Sequence, residues 1–114
     1  ELLQETLTKV GYVNLDICYD GEEAWNKLQS YLEHGEITDH VQLVITDIEM
    51  PRMDGHHLTK RIKEDEQLKK LPVIIFSSLI TDDLRHKGEI VGANAQVSKP
   101  EISELVKHID QYVL

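Results

Sequence analysis

Three short strand-like runs in this chain each end in a side chain suited to phosphoryl chemistry. Leu43-Val44-Ile45 leads through Thr46 to Asp47, and Val73-Ile74-Ile75-Phe76 leads to Ser77 and Ser78. Ala95-Gln96-Val97 leads to Ser98 and then Lys99-Pro100. A carboxylate can act as a nucleophile toward phosphorus and form an acyl phosphate. A hydroxyl and an ammonium beside it can hold the phosphoryl oxygens through charge-assisted hydrogen bonds. Taken singly, each residue has a plainer role. A carboxylate after an apolar run is more often a helix cap or a surface charge. Ser77 and Ser78 suit a helix cap, a role for which Thr81 competes. Lys99 alone is a solvated lysine before a turn proline. The chemistry exists only if the fold gathers the three run ends.

The intervening segments provide that fold. Leu3, Leu7 and Val10 recur at helical spacing and Gly11 stops the helix. Val13, Leu15 and Ile17 alternate with Asn14, Asp16 and Cys18, the period of an edge strand with one wet face. Asp20-Gly21 makes a turn, with Asp20 an N-cap for a helix over Glu22–His34 whose apolar stripe is Ala24, Trp25, Leu28 and Leu32. The runs Leu43–Ile45 and Val73–Phe76 are apolar without alternation, as in strands covered on both faces of a parallel sheet. Helices are expected over Gly55–Glu66, Thr81–Val91 and Glu101–Val113, the last with Ile102, Leu105, Val106, Ile109 and Val113 on one face. Strand and helix alternate, so the class is α/β with a doubly wound parallel sheet. Ligands of such sheets sit outside the carboxyl ends of the strands, where Asp47, Ser77 and Lys99 fall.

The same residues carry a family resemblance. Asp47-Ile48-Glu49-Met50-Pro51, then Met53-Asp54-Gly55, Pro72-Val73-Ile74-Ile75-Phe76-Ser77 and Gly92-Ala93 with Lys99-Pro100 resemble the signature of response-regulator receiver domains in order and spacing. The resemblance covers essentially all of the chain after its first helix, and residues 1–114 are read as one such domain. It implies a flavodoxin-like fold of strand order 2-1-3-4-5. It also implies that Asp47 accepts the phosphoryl group, Ser77 is the switch hydroxyl, and Lys99 senses the phosphate and joins Pro100 through a cis bond. The implied cofactor is Mg²⁺, with Asp47 and the backbone carbonyl of Glu49 as ligands. Ile48–Thr59 and Phe76-Ser77-Ser78-Leu79 further resemble the C-terminal receivers of CheV-type chemotaxis coupling proteins. That likeness implies a histidine kinase of CheA type as phosphoryl donor, a CheW-like coupling domain in the same full-length chain, and a chemoreceptor complex as setting.

Two features depart from the family pattern. Receivers open with a strand ending in an acidic pair that binds the metal, whereas here nothing precedes the first helix. The reading is therefore of an N-terminally truncated domain, one that binds Mg²⁺ weakly, phosphorylates poorly, and fills the gap by rearranged pairing, a dimer or a strand-swapped assembly. Gln96 stands where receivers place an aromatic switch residue, so output is expected to run through Ser77 and the helix that begins near Thr81. Glu49 and Leu79 flank the approach of water in the family pattern. An alternative is a pseudo-receiver, an interaction or dimerisation module that never carries phosphate. A dehalogenase-type phosphatase would need an Asp at the position of Glu49. In neither surviving reading is the chain an enzyme beyond its own phosphotransfer and dephosphorylation.

Composition narrows the field further. Twelve Lys and Arg against 21 Asp and Glu leave a net charge of −9, which opposes binding to nucleic acid or an anionic membrane. No apolar run reaches the length of a membrane span. Cys18 is the one cysteine, so no internal disulfide can form and a reducing, cytoplasmic setting is expected. His56-His57 lack partners at metal-ligand spacing and read as exposed polar residues near a helix start. Trp25 reads as packing, and the mixed charges of Lys60–Lys70 read as a solvated helix face.

Overall fold

A computed structural model of the 114-residue chain describes residues 20–37, 40–49, 52–78 and 80–113. The expected helix over Leu3–Val10, the strand Val13–Cys18, and residues Met50, Pro51 and Leu79 lie outside the described residues. The described chain runs α1 (Gly21–Leu32), β1 (Val44–Thr46), α2 (Gly55–Glu64), β2 (Val73–Ser77), α3 (Asp82–Ile90), β3 (Ala95–Ser98) and α4 (Ile102–Val113).

Capping side chains set where the helices begin. Asp20 accepts the Glu23 amide at 2.7 Å and opens α1. Asp54 does the same for α2 with His57 at 2.8 Å, and Thr81 for α3 with Leu84 at 3.2 Å. Thr81, not Ser77 or Ser78, is therefore the cap of α3. The helix ends are shorter than the periodicity implied. α1 stops at Leu32, where the Glu33 amide turns back to the Ser30 and Tyr31 carbonyls. α2 stops at Glu64 because Asp65 takes an extended backbone, and its carboxylate caps a new turn through the Gln67 and Leu68 amides.

The three described strands form one parallel sheet in the order β1-β2-β3. Val44 pairs with Val73 and Ser77 with Ser98. Every residue of β2 is buried, as its unbroken apolar run requires. Its side chains alternate between two cores. Val73 joins Leu28, Leu58, Ile62, Leu68 and Leu71 on the face covered by α1 and α2. Ile74 and Phe76 join Val97, Leu105 and Ile109 on the face covered by α4. The stripe expected on α1 packs as read, with Ala24, Trp25 and Leu32 beside buried Leu28. The Arg61 guanidinium lies over the Trp25 ring, 4.1 Å from its centroid, and joins α1 to α2. Helices on both faces of a parallel sheet make the fold doubly wound α/β.

The 60–70 segment is less solvated than its charges suggested. Lys63 folds back to donate to the Leu71 carbonyl at 2.6 Å, and burial pushes its amine below the ordinary lysine value. Leu68 is fully buried.

Candidate functional site

The carboxyl ends of the three strands bring Asp47, Ser77 and Lys99 together. β1 ends at Thr46 and delivers Asp47 to the rim. The start of the next helix is folded tightly against the backbone of Asp47 itself. The Gly55 amide donates to the Ile48 carbonyl at 3.0 Å, and a Cβ on Gly55 would overlap the Asp47 carbonyl oxygen. Thr46 donates its hydroxyl to that same carbonyl at 3.0 Å. β2 delivers Ser77, which is buried, while Ser78 is exposed. β3 delivers Lys99, whose amide donates to the Ser77 carbonyl at 2.9 Å and locks the two strand ends in register. The Lys99-Pro100 bond is cis.

The side chains then meet. Lys99 Nζ donates to Asp47 Oδ2 at 2.7 Å, with the two side chains 40% and 31% exposed. The Ile48 amide donates to Asp47 Oδ1 at 2.6 Å. Lys99 Nζ also lies 5.8 Å from the centre of the Phe76 ring, within cation–π range. Burial is the largest single influence on the Asp47 carboxyl and pushes its pKa up. The Lys99 ammonium, the Ser77 hydroxyl and the Ile48 amide together outweigh burial and hold it below the usual carboxylate value. Asp47 is thus ionised at neutral pH and half-shielded from water, the state a carboxylate nucleophile needs.

Glu49 is exposed two residues beyond Asp47. Among the described residues, no three His, Cys, Asp or Glu side chains cluster as a metal site. The oxygens that would hold the implied Mg²⁺ are those of the Asp47 carboxylate and, by the family resemblance, the Glu49 backbone carbonyl. Magnesium accepts such a sparse hard-oxygen set, because it commonly uses one or two carboxylates and keeps several waters.

Four placements were not foreseen. His56 is buried at 2% exposure rather than solvated, while His57 is exposed as expected. His56 lies on the buried stripe of α2 with Leu58, Thr59 and Ile62. Its i, i+3, i+6 spacing to Thr59 and Ile62 was the signal available in the sequence. Asp20, expected only as a cap, also pairs with Arg52 NH2. That hydrogen bond, followed by the Glu23 amide, pulls its carboxyl below the ordinary value and raises the Arg52 guanidinium in turn. Arg52 reaches Asp20 from a left-handed backbone with φ of 66°. Gly21 lies against the Met53 carbonyl, where a Cβ would overlap, so α1 is pinned to the segment that leads into α2. Gln96 is half-buried and donates its Nε2 to the Arg85 carbonyl of α3 at 2.8 Å.

Comparison with known proteins gives the geometry its context. The model of the response regulator receiver domain family matches residues 1–110. Chemotaxis protein CheV3 of Helicobacter pylori is 29% identical over 111 residues, which cover 96% of this chain and 35% of CheV3. The chain thus spans about a third of that relative's length. The phosphorylated cyanobacterial phytochrome response regulator RcpA superposes with a TM-score of 0.74 at 28% identity, over 98% of this chain and 83% of RcpA. The receiver domain of sensor histidine kinase PA1611 from Pseudomonas aeruginosa has a magnesium ion coordinated in its active site cleft. It shares the fold, with a TM-score of 0.75 at 20% identity over 98% of this chain and 85% of its own. Among the described residues, no helix is long and apolar enough to cross a membrane. With a family match that starts at the first residue and runs to residue 110, the chain belongs to the response regulator receiver domains of two-component and chemotaxis signalling.

Proposed function

We propose that Asp47 is the phospho-acceptor of this receiver domain and that Ser77 and Lys99 hold the transferred group. The observation that carries the proposal is the 2.7 Å contact of Lys99 Nζ with Asp47 Oδ2 at the rim shared with Ser77. A carboxylate oxygen of Asp47 attacks the phosphorus of a phosphohistidine on the donor kinase. The new P–O bond forms as the P–N bond breaks and its electron pair returns to the imidazole nitrogen, which takes up a proton from water. The Lys99 ammonium then pairs with the phosphoryl oxygens, and the Ser77 hydroxyl donates to them from the neighbouring strand end. Mg²⁺, held by the Asp47 carboxylate and the Glu49 carbonyl, supplies positive charge to the phosphoryl oxygens when bound.

The similarity to CheV3 supports a chemotaxis adaptor as the setting. In that reading a CheA-type histidine kinase donates the phosphoryl group, and residues 1–114 act as one domain that modulates a CheW-like coupling domain within a receptor complex. A second reading, an interaction module that never carries phosphate, draws on one observation. Both Asp47 carboxylate oxygens already accept N–H donors, Oδ2 from Lys99 and Oδ1 from Ile48.

Intact-mass measurement separates the two. Incubation with acetyl phosphate and excess Mg²⁺ is expected to add one phosphoryl group, slowly, to the wild-type chain and none to Asp47→Asn. Absence of any gain in the wild type after prolonged incubation would overturn the phospho-acceptor reading. A gain that persists in Asp47→Asn would move the acceptor elsewhere.

A further inference from the structure

Helix α3 is attached to the sheet differently from the other described helices. Neither apolar core includes one of its residues. Its one buried residue is Gly88, Leu84 is half-buried, and Ile90 is 70% exposed. A surface helix ordinarily adheres through an apolar stripe, and α3 has almost none.

Polar groups take the place of that stripe. From β3, Gln96 donates its side-chain amide to the Arg85 carbonyl in the body of α3. The amide reaches the helix because Gly88 lacks a side chain, since a Cβ there would overlap Gln96 Oε1. From α2, His56 lies near the Leu84 backbone and Lys87. Both groups are incompletely satisfied. Among the described residues, three buried side-chain atoms lack a hydrogen-bond partner, and two of them are Gln96 Oε1 and His56 Nε2. Buried polar atoms without partners favour any state that admits water to them. A helix held by the Gln96 amide and by His56 against the Leu84 backbone, with almost no apolar contact, opens more readily than helices docked on apolar cores.

We infer that α3 is a separately detachable element, latched to the sheet by the Gln96 amide seated in the Gly88 notch. The latch connects to the proposed site through chain neighbours and through the β2–β3 register, where Gln96 is paired with Ile75. Gln96 stands three residues before Lys99 on one strand, and the α3 cap Thr81 stands four residues after Ser77 on the next. Opening exposes the inner face of α3, Gln96 and His56 while leaving both apolar cores closed. The inference does not depend on phosphorylation of Asp47, and its test uses the unphosphorylated protein.

Residue-resolved amide hydrogen exchange reads the latch directly. In the wild type, amides of α3 exchange faster than those of α2 and α4. Gln96→Ala speeds exchange in α3 by about tenfold or more and leaves α2, α4 and β2 as they were. Gly88→Ala gives the sharper discrimination. Alanine favours helix over glycine, so propensity alone slows exchange in α3, whereas eviction of the Gln96 amide from its notch speeds it. Faster exchange confined to α3 in both variants supports the latch. Unchanged or slower exchange of α3 in Gly88→Ala overturns it, as does loosening spread evenly over all the helices.

Discussion

Asp47 and His56 are both titratable groups held in their uncommon surroundings by neighbours, and they act on stability at opposite ends of the acid range. The Asp47 carboxyl is depressed in the folded chain. Its ionised form therefore stabilises the fold above the ordinary value of 3.8, and that contribution is lost as pH falls through the depressed value. Lys99→Met removes a partner that lowers the pKa and leaves the burial that raises it. The Asp47 carboxyl is expected to titrate at higher pH in that variant, as carboxyl-carbon NMR reads directly. Because both partners are partly open to solvent, which screens the pair, the variant loses only about 0–1 kcal/mol of stability at neutral pH. His56 behaves in the reverse way. Burial is the main force lowering its pKa, with Lys87 adding to it, while Asp54 and the Leu84 backbone oppose both. Below the ordinary value of 6.5 the unfolded chain takes up a proton that folded His56 refuses, so stability falls as pH drops under that point. Denaturant melts across pH 7 to 5 are expected to show this fall in the wild type and a weaker one in His56→Leu.

At the scale of elements, caps and close approaches do most of the positioning, and they yield separable predictions. Thr81→Ala removes the cap of α3 and is expected to cost about 1 kcal/mol, read as a lower denaturation midpoint with unchanged slope. Gly55→Ala drives a methyl group into the Asp47 carbonyl oxygen. It is expected to cut phosphoryl uptake at Asp47 even at temperatures where the variant is folded, as circular dichroism and intact-mass measurement together would show. These elements were unequally legible in the sequence. β1, β2 and the residues after them stood out because buried parallel strands show unbroken apolar runs. α1 was legible from its Asp20 cap and apolar stripe and α4 from its stripe, whereas α2 and α3 were read as the crossovers that parallel strands require. α1 and α2 end two residues early because Glu33 and Asp65 redirect the backbone. His56 was misread because two adjacent histidines look solvated, although a helix turns them to different faces. The Asp20–Arg52 pair was invisible for a different reason. It joins residues 32 apart through a left-handed turn that no local pattern announces.

For the molecule as a whole, β2 is the common wall of two cores. Successive side chains Val73 and Ile74 feed opposite faces, so neither core can loosen without disturbing the strand they share. Leu58→Ala on one face and Leu105→Ala on the other are each expected to cost about 2–5 kcal/mol. Both are expected to shift the same single unfolding transition, whether followed by far-ultraviolet circular dichroism or by calorimetry. The net charge of −9 sets a general background of self-repulsion. Raising ionic strength from about 0.01 to 0.15 M shortens the Debye length from roughly 30 to 8 Å and is expected to raise the melting temperature.

The contact of Arg61 with Trp25 gives this protein an optical address. Trp25 is the chain's one tryptophan, seated where α1 meets α2 with a guanidinium over its ring. Its emission is therefore a local signal from one face of the sheet, blind to the opposite side of the molecule. Release of α3 should pass without a spectral change, whereas separation of α1 from α2 should shift the emission as the ring enters water. A single cuvette can thus tell a local opening from the loss of the first core, with no label attached.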